Sequence, residues 1–142
     1  YVWKGLRIMG LGGSIRYNRE ETFQYTEQEM RRRVRRLWFK AHRAGGIDLL
    51  LTHSPAAGLN DGDDRAHKGF ACFNDLLEEY QPKWFVHGHV HLSYNANLPR
   101  VCTHGQTTVI NATERYTFEI PDPDPVARKR FFWNDPAFPT KN

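Results

Sequence analysis

Cysteine is scarce in this chain, and its two copies, Cys72 and Cys102, exclude a disulfide framework. No Cys-x-x-Cys pair occurs, which excludes a zinc finger built on such pairs. Long apolar runs are missing too: none nears the roughly 20 residues of a membrane span, and no apolar signal segment opens the chain. Charge of one sign is in mild surplus only, since 20 basic residues meet 16 acidic ones for a net +4. A dedicated nucleic-acid partner is therefore not expected. Internal repeats and Gly/Ser linkers are absent, so residues 1–142 are read as a single unit. What is present, 39% hydrophobic and 13% aromatic residues, suffices for a core and excludes extended disorder. The expectation is a soluble domain of a reducing, cytoplasmic compartment with no membrane partner.

Short apolar segments alternate with helical patterns. Leu6–Met9 reads as a strand entering the glycine loop Gly10–Ser14, and Ile15–Tyr25 reads as a loop. Thr26–Ala44 is the clearest helix. Thr26 and Glu29 form a capping box, Met30, Val34, Leu37, Trp38 and Ala41 supply an apolar face, and Gly45-Gly46 stops it. Ile47–Leu51 suits a strand buried on both faces. After a polar loop over Thr52–Gly69, a second helix over Phe70–Tyr80 turns Phe70, Phe73, Leu76 and Leu77 inward. Trp84–Val86 is another buried strand; Thr107–Ala112 and Arg115–Ile120 are late strands, compatible with a hairpin. From Pro121 onward lie five of the 8 prolines, giving an extended tail over 121–142 held down by Phe131, Phe132 and Trp133. This order predicts an α/β fold with a mixed β-sheet and flanking helices.

Two apolar strands end in histidine. Leu49–Leu51 runs into Thr52-His53-Ser54-Pro55, and Trp84–Val86 runs into His87-Gly88-His89-Val90-His91. Ligand sites of open α/β sheets gather at the carboxyl ends of strands, so both groups can face one crevice. Neutral imidazole suits zinc, iron, manganese or nickel, and Gly88 is expected to let the backbone turn tightly. Rim histidines with no ligand are the plain alternative, but a triple repeat at the end of a buried strand favours metal ligation.

Gly88-His89-Val90-His91, preceded by His53 in Thr-His-Ser-Pro, resembles the last two motifs of calcineurin-like metallophosphoesterases. The resemblance runs from Gly10–Ser14 to Val109–Ala112. It implies the C-terminal half of a four-layer α/β/β/α sandwich of two mixed sheets. It also implies that His53 and His89 bind one metal and His91 a second, within a pair of divalent or trivalent ions (Mn, Fe, Zn or Ni) that hydrolyses a phosphate-ester substrate. No Asp-x-His, no Gly-Asp-x-x-Asp/Asn placed before His53 and no Gly-Asn-His is found, motifs that include the family's histidine acting as general acid. Tyr1 is accordingly read as internal to a longer enzyme. The chain alone is expected to hold at most one metal, to be a poor catalyst, and to need the N-terminal half or a second chain against an uncovered sheet. A non-catalytic interaction module of the same fold and a mononuclear three-histidine zinc hydrolase are the alternatives.

Other groups are open to two readings. His67, after the acidic loop Asp61–Arg65, either lines the active site, as the resemblance implies, or belongs to a solvated loop. An EF-hand is excluded, because Ala66 and Cys72 fall where glycine and glutamate are required. The Gly10–Ser14 loop lacks the following helix of a dinucleotide fingerprint. It is either an ordinary turn or a site loop from which Arg16 and Tyr17 reach a phosphate. Arg31–Arg36 reads as the solvated face of the first helix, with Glu27 and Glu29 one turn before Arg31 and Arg33. Cys72 reads as a buried small hydrophobe.

Overall fold

The computed structural model describes residues 1–18, 22–93 and 98–121. In chain order the elements are β1 (Val2–Trp3), β2 (Leu6–Leu11), β3 (Ser14–Ile15), β4 (Gln24–Tyr25), α1 (Glu27–Arg43), β5 (Leu49–Thr52), α2 (Ala71–Tyr80), β6 (Trp84–His87), β7 (Val101–His104) and β8 (Thr107–Asn111). β2, β5, β6 and β8 are neighbouring parallel strands, and β1 and β7 close the sheet's edges in antiparallel pairing. This is the mixed α/β sheet expected from the alternation of elements.

Strand alternation sorts the core into two faces. Met9, Leu11, Leu50, Phe85 and Val109 join Met30 and Val34 of α1 and Phe73, Leu76 and Leu77 of α2. Burying each of these larger side chains contributes about 1.5–3 kcal/mol. Leu6, Leu49, Val86 and Ile110 form the opposite face, against which Phe118 and Ile120 pack while Leu51 remains 46% exposed.

The capping box of α1 is present, with Thr26 Oγ1 accepting from the Glu29 N–H at 3.3 Å and Glu29 Oε2 accepting from the Thr26 N–H at 2.8 Å. α2 has Phe70 at its cap, a residue whose side chain can accept nothing. Glu27 of α1 does so instead, taking the N–H groups of Ala71 and Cys72 at 3.0 and 2.8 Å. One carboxylate thus satisfies exposed donors of α2 and locks the two helices together. Cys72 is buried as expected, and burial pushes its thiol up to about 12.

Several expectations are corrected. Gly10 and Leu11 belong to β2, because the strand continues in register with Leu51 and Thr52 of β5. The segment read as a loop after Ile15 begins and ends in paired strands, β3 and β4. Arg115–Ile120 forms no strand; the partner of β8 is β7, whose short, half-exposed Val101–His104 carries weak periodicity. Trp38 is exposed rather than inward, stacked on His42 and donating to Glu79 Oε1 at 2.5 Å. Glu29 pairs with Arg16 instead of Arg33. The tail aromatics Phe131, Phe132 and Trp133 lie outside the described residues.

Candidate functional site

Parallel pairing of β5 with β6 brings their carboxyl ends side by side, and with them the two histidine segments. The ladder continues past the strands: the His53 N–H donates to the Leu11 carbonyl at 3.1 Å, and the Gly88 N–H to the His53 carbonyl at 3.0 Å. Side chains flanking His53 fix its loop. Thr52 Oγ1 donates to the Ser54 carbonyl at 2.5 Å, and Ser54 Oγ to the Gly13 carbonyl at 3.1 Å. Buried neighbours therefore hold an exposed imidazole in place.

His53 Nε2 lies 3.1 Å from His89 Nδ1, with ring centroids 4.8 Å apart. His89 Nε2 lies 2.8 Å from the Ala66 carbonyl, which can only accept, so Nε2 carries the proton and Nδ1 presents its lone pair. Burial, reinforced by the neighbouring imidazoles of His53 and His67, pulls the His89 pKa down from its ordinary value. His89 is thus held neutral and oriented, with its unprotonated Nδ1 turned toward His53, the state a metal-ligating histidine requires.

The local backbone is bent at His89 itself. The Val90 N–H donates to the Gly88 carbonyl at 2.8 Å, closing a three-residue turn centred on His89, whose φ is 69°. Such a positive φ in a non-glycine residue costs roughly 1–3 kcal/mol and must be held by its surroundings. Asn111 Nδ2 provides that hold by donating to the Val90 carbonyl at 2.8 Å, and Thr113 Oγ1 lies 3.0 Å from the same oxygen. The expectation that Gly88 supplies the turn is corrected: the left-handed residue is His89, and a Cβ on Gly88 would meet neighbours only at ordinary contact distances.

His67 joins this group, its ring 5.2 Å from that of His89. Its Nδ1 sits 2.7 Å from Asp64 Oδ2, and this hydrogen bond is the main reason the Asp64 carboxyl lies below its usual range. His67 thus stands in the cluster, in the loop before α2. His91 is exposed on the segment leaving the cluster. Arg16 is engaged elsewhere, bonded to Glu29 and to the Gln24 carbonyl. Among the described residues, no group of three or more His, Cys, Asp or Glu is arranged to hold a metal ion.

Sequence reasoning counted His87 only as part of the triple histidine repeat and assigned no role to Ala66, Asn111 or Thr113. His87 is buried beneath the cluster; burial pulls its pKa down to about 4, and its Nε2 has no hydrogen-bond partner among the described residues. The Asn111-Ala112-Thr113 sequence at the end of a buried strand carried a usable signal, because buried polar side chains need partners. The Ala66 contribution is a main-chain carbonyl, which side-chain identity cannot reveal.

No family model matches the chain. It is 32% identical to the human metallophosphoesterase domain-containing protein 1 over 71 residues, 48% of this chain and 20% of that protein, and the mouse protein gives the same figures. A UPF0046 protein of Caenorhabditis elegans is 37% identical over 73 residues, 46% of this chain and 24% of that protein. A solved crystal structure covers 80% of this chain with a TM-score of 0.56, at 20% identity and 43% of its own length. That likeness shows a shared fold. The chain spans about a fifth to a quarter of the length of these curated relatives, and its similarity to them supports kinship with metallophosphoesterases at the family level.

Proposed function

We propose that this chain forms the histidine-bearing half of a dinuclear metallophosphoesterase site, hydrolysing phosphate esters as part of a longer polypeptide or with a partner chain. The observation that carries this reading is the 3.1 Å approach of His53 Nε2 to His89 Nδ1 at the ends of adjacent parallel strands. The donor set fits a borderline cation such as Mn, Fe, Zn or Ni. His53 and His89 would hold one metal and His91 the neighbouring one. When bound, the cations supply Lewis acidity, neutralising phosphoryl charge and lowering the pKa of a water nucleophile.

The chain's own residues prepare this site. The Ala66 carbonyl fixes which His89 nitrogen is protonated, and Asn111 and Thr113 hold the strained turn that projects it. His53 frees its Nε2 by moving the proton to Nδ1. His67, steadied by Asp64, stands next to His89 as a group able to meet a substrate oxygen. A stand-alone three-histidine zinc site finds less support, since His91 is exposed on the outgoing loop while the ring beside His89 is His67.

Hydrolysis of para-nitrophenyl phosphate with added manganese or zinc tests the proposal, for the chain alone and joined to a segment supplying Asp-x-His, Gly-Asp and Gly-Asn-His motifs. Turnover is expected only in the joined form. Equal activity in both would contradict the half-site.

A further inference from the structure

A second polar feature lies away from the histidines, between α1 and the β3–β4 pair. A groove of about 460 Å³ is lined by Arg16, Gln24, Tyr25, Glu29, Arg32, Arg33 and Arg36. Among the described lining residues, four guanidinium groups meet one carboxylate. Glu29 is already committed to Arg16 at 2.9 Å and to the Thr26 N–H, and the latter bond is the main reason its carboxyl lies below the usual range. Among the described residues, Arg32 and Arg36 form no ion pair.

The floor of the groove is built rather than incidental. The Arg33 guanidinium stacks on the Tyr25 ring at 4.2 Å and donates to the Gly12 carbonyl at 2.6 Å. On its other side Tyr25 abuts Gly13, where an added Cβ would stand 2.4 Å from the ring at a φ of 105°. The ring is thereby fixed between a glycine and a cation. Beside it in sequence, Phe23 is 74% exposed in the left-handed region at φ 62°, and Tyr17 is 42% exposed. The Tyr17 N–H donates to Gln24 Oε1, which ties it to the groove wall. Arginines without ion pairs along the groove, with the exposed rings of Tyr17 and Phe23 in the adjoining chain segment, match the chemistry of single-stranded nucleic acid, in which phosphates neutralise cations and bases stack on rings.

From this arrangement we infer that the α1/β3–β4 groove binds a short single-stranded nucleic-acid segment, with Arg32 and Arg36 on phosphates and Phe23 as a stacking ring. Sequence alone reads the arginine run as a solvated face; the fold adds Arg16, Gln24 and Tyr25 of the β3–β4 segment to the groove lining.

Fluorescence anisotropy with a labelled oligothymidylate of about 8 nucleotides, at roughly 50 to 200 mM salt, tests the inference. The double variant R32Q/R36Q is expected to flatten the slope of log affinity against log salt by roughly 1.4. F23A should weaken binding about tenfold with the slope unchanged. R35Q/R43Q removes the same charge from exposed positions of α1 outside the groove and should change affinity less than threefold, roughly. Equal losses for the two arginine pairs, no binding by the unmodified chain, or binding of phosphatidylserine vesicles with no effect of F23A would each overturn the inference.

Discussion

The histidine cluster and the arginine groove are both polar, both built where a loop meets a regular element, and opposite in electrostatic character. At the strand ends, burial and mutual repulsion lower the pKa of His89 and hold it neutral, and a main-chain carbonyl decides which nitrogen offers its lone pair. In the groove, guanidinium groups carry the positive charge, and Tyr25 is pinned under Arg33. The difference teaches what each is suited to hold: neutral, oriented lone pairs suit cations, whereas permanent positive charge suits phosphate. Acid should therefore disable the first and leave the second intact.

The largest expected effect concerns His87, which lies beneath the cluster and is held neutral by burial. Its pKa is about 4 in the fold against 6.5 in the unfolded chain, so between these values the unfolded state binds the extra proton. Stability from this residue is complete above pH 6.5 and is lost as pH falls toward 4, by about 3 kcal/mol. His87→Phe, beside the Phe85 ring, should flatten this part of the stability profile in urea unfolding followed from pH 7 to 4. A profile as steep as that of the unmodified chain would assign the acid sensitivity elsewhere.

A smaller effect is expected from the turn that aims His89. Asn111→Ala removes the donor to the Val90 carbonyl and leaves that buried oxygen with Thr113 alone. Stability should drop by about 1–3 kcal/mol, and zinc affinity by roughly tenfold, while oligonucleotide binding in the groove stays unchanged. Calorimetric titration with each ligand separates the two; parallel losses would mean that the sites are not independent.

The legibility of the molecule in its sequence follows the range of the interactions involved. Local signals were clear: the Thr26–Glu29 box, the glycine stop after α1, and the Phe70, Phe73, Leu76 and Leu77 face all stand as read. Short edge elements were not, because β7 and the β3–β4 pair depend on partners supplied by the fold rather than on their own pattern. At the site, His53 and His89 were legible as histidines ending apolar strands, and parallel register brings them together. The Ala66 carbonyl, the strained φ of His89 and the Glu27 cap on α2 were not legible, since each joins main-chain groups to residues far away in the chain.

Metal binding by the chain and its histidine variants tests the central claim most directly. Calorimetric titration with Zn²⁺ or Mn²⁺ at pH 7.5, repeated for His53→Ala, His89→Ala and His91→Ala, measures stoichiometry and affinity together. The account predicts one ion per chain and about a hundredfold weaker binding without His53 or His89, with little change without His91. Two ions per chain, or affinity indifferent to His53 and His89, would contradict it.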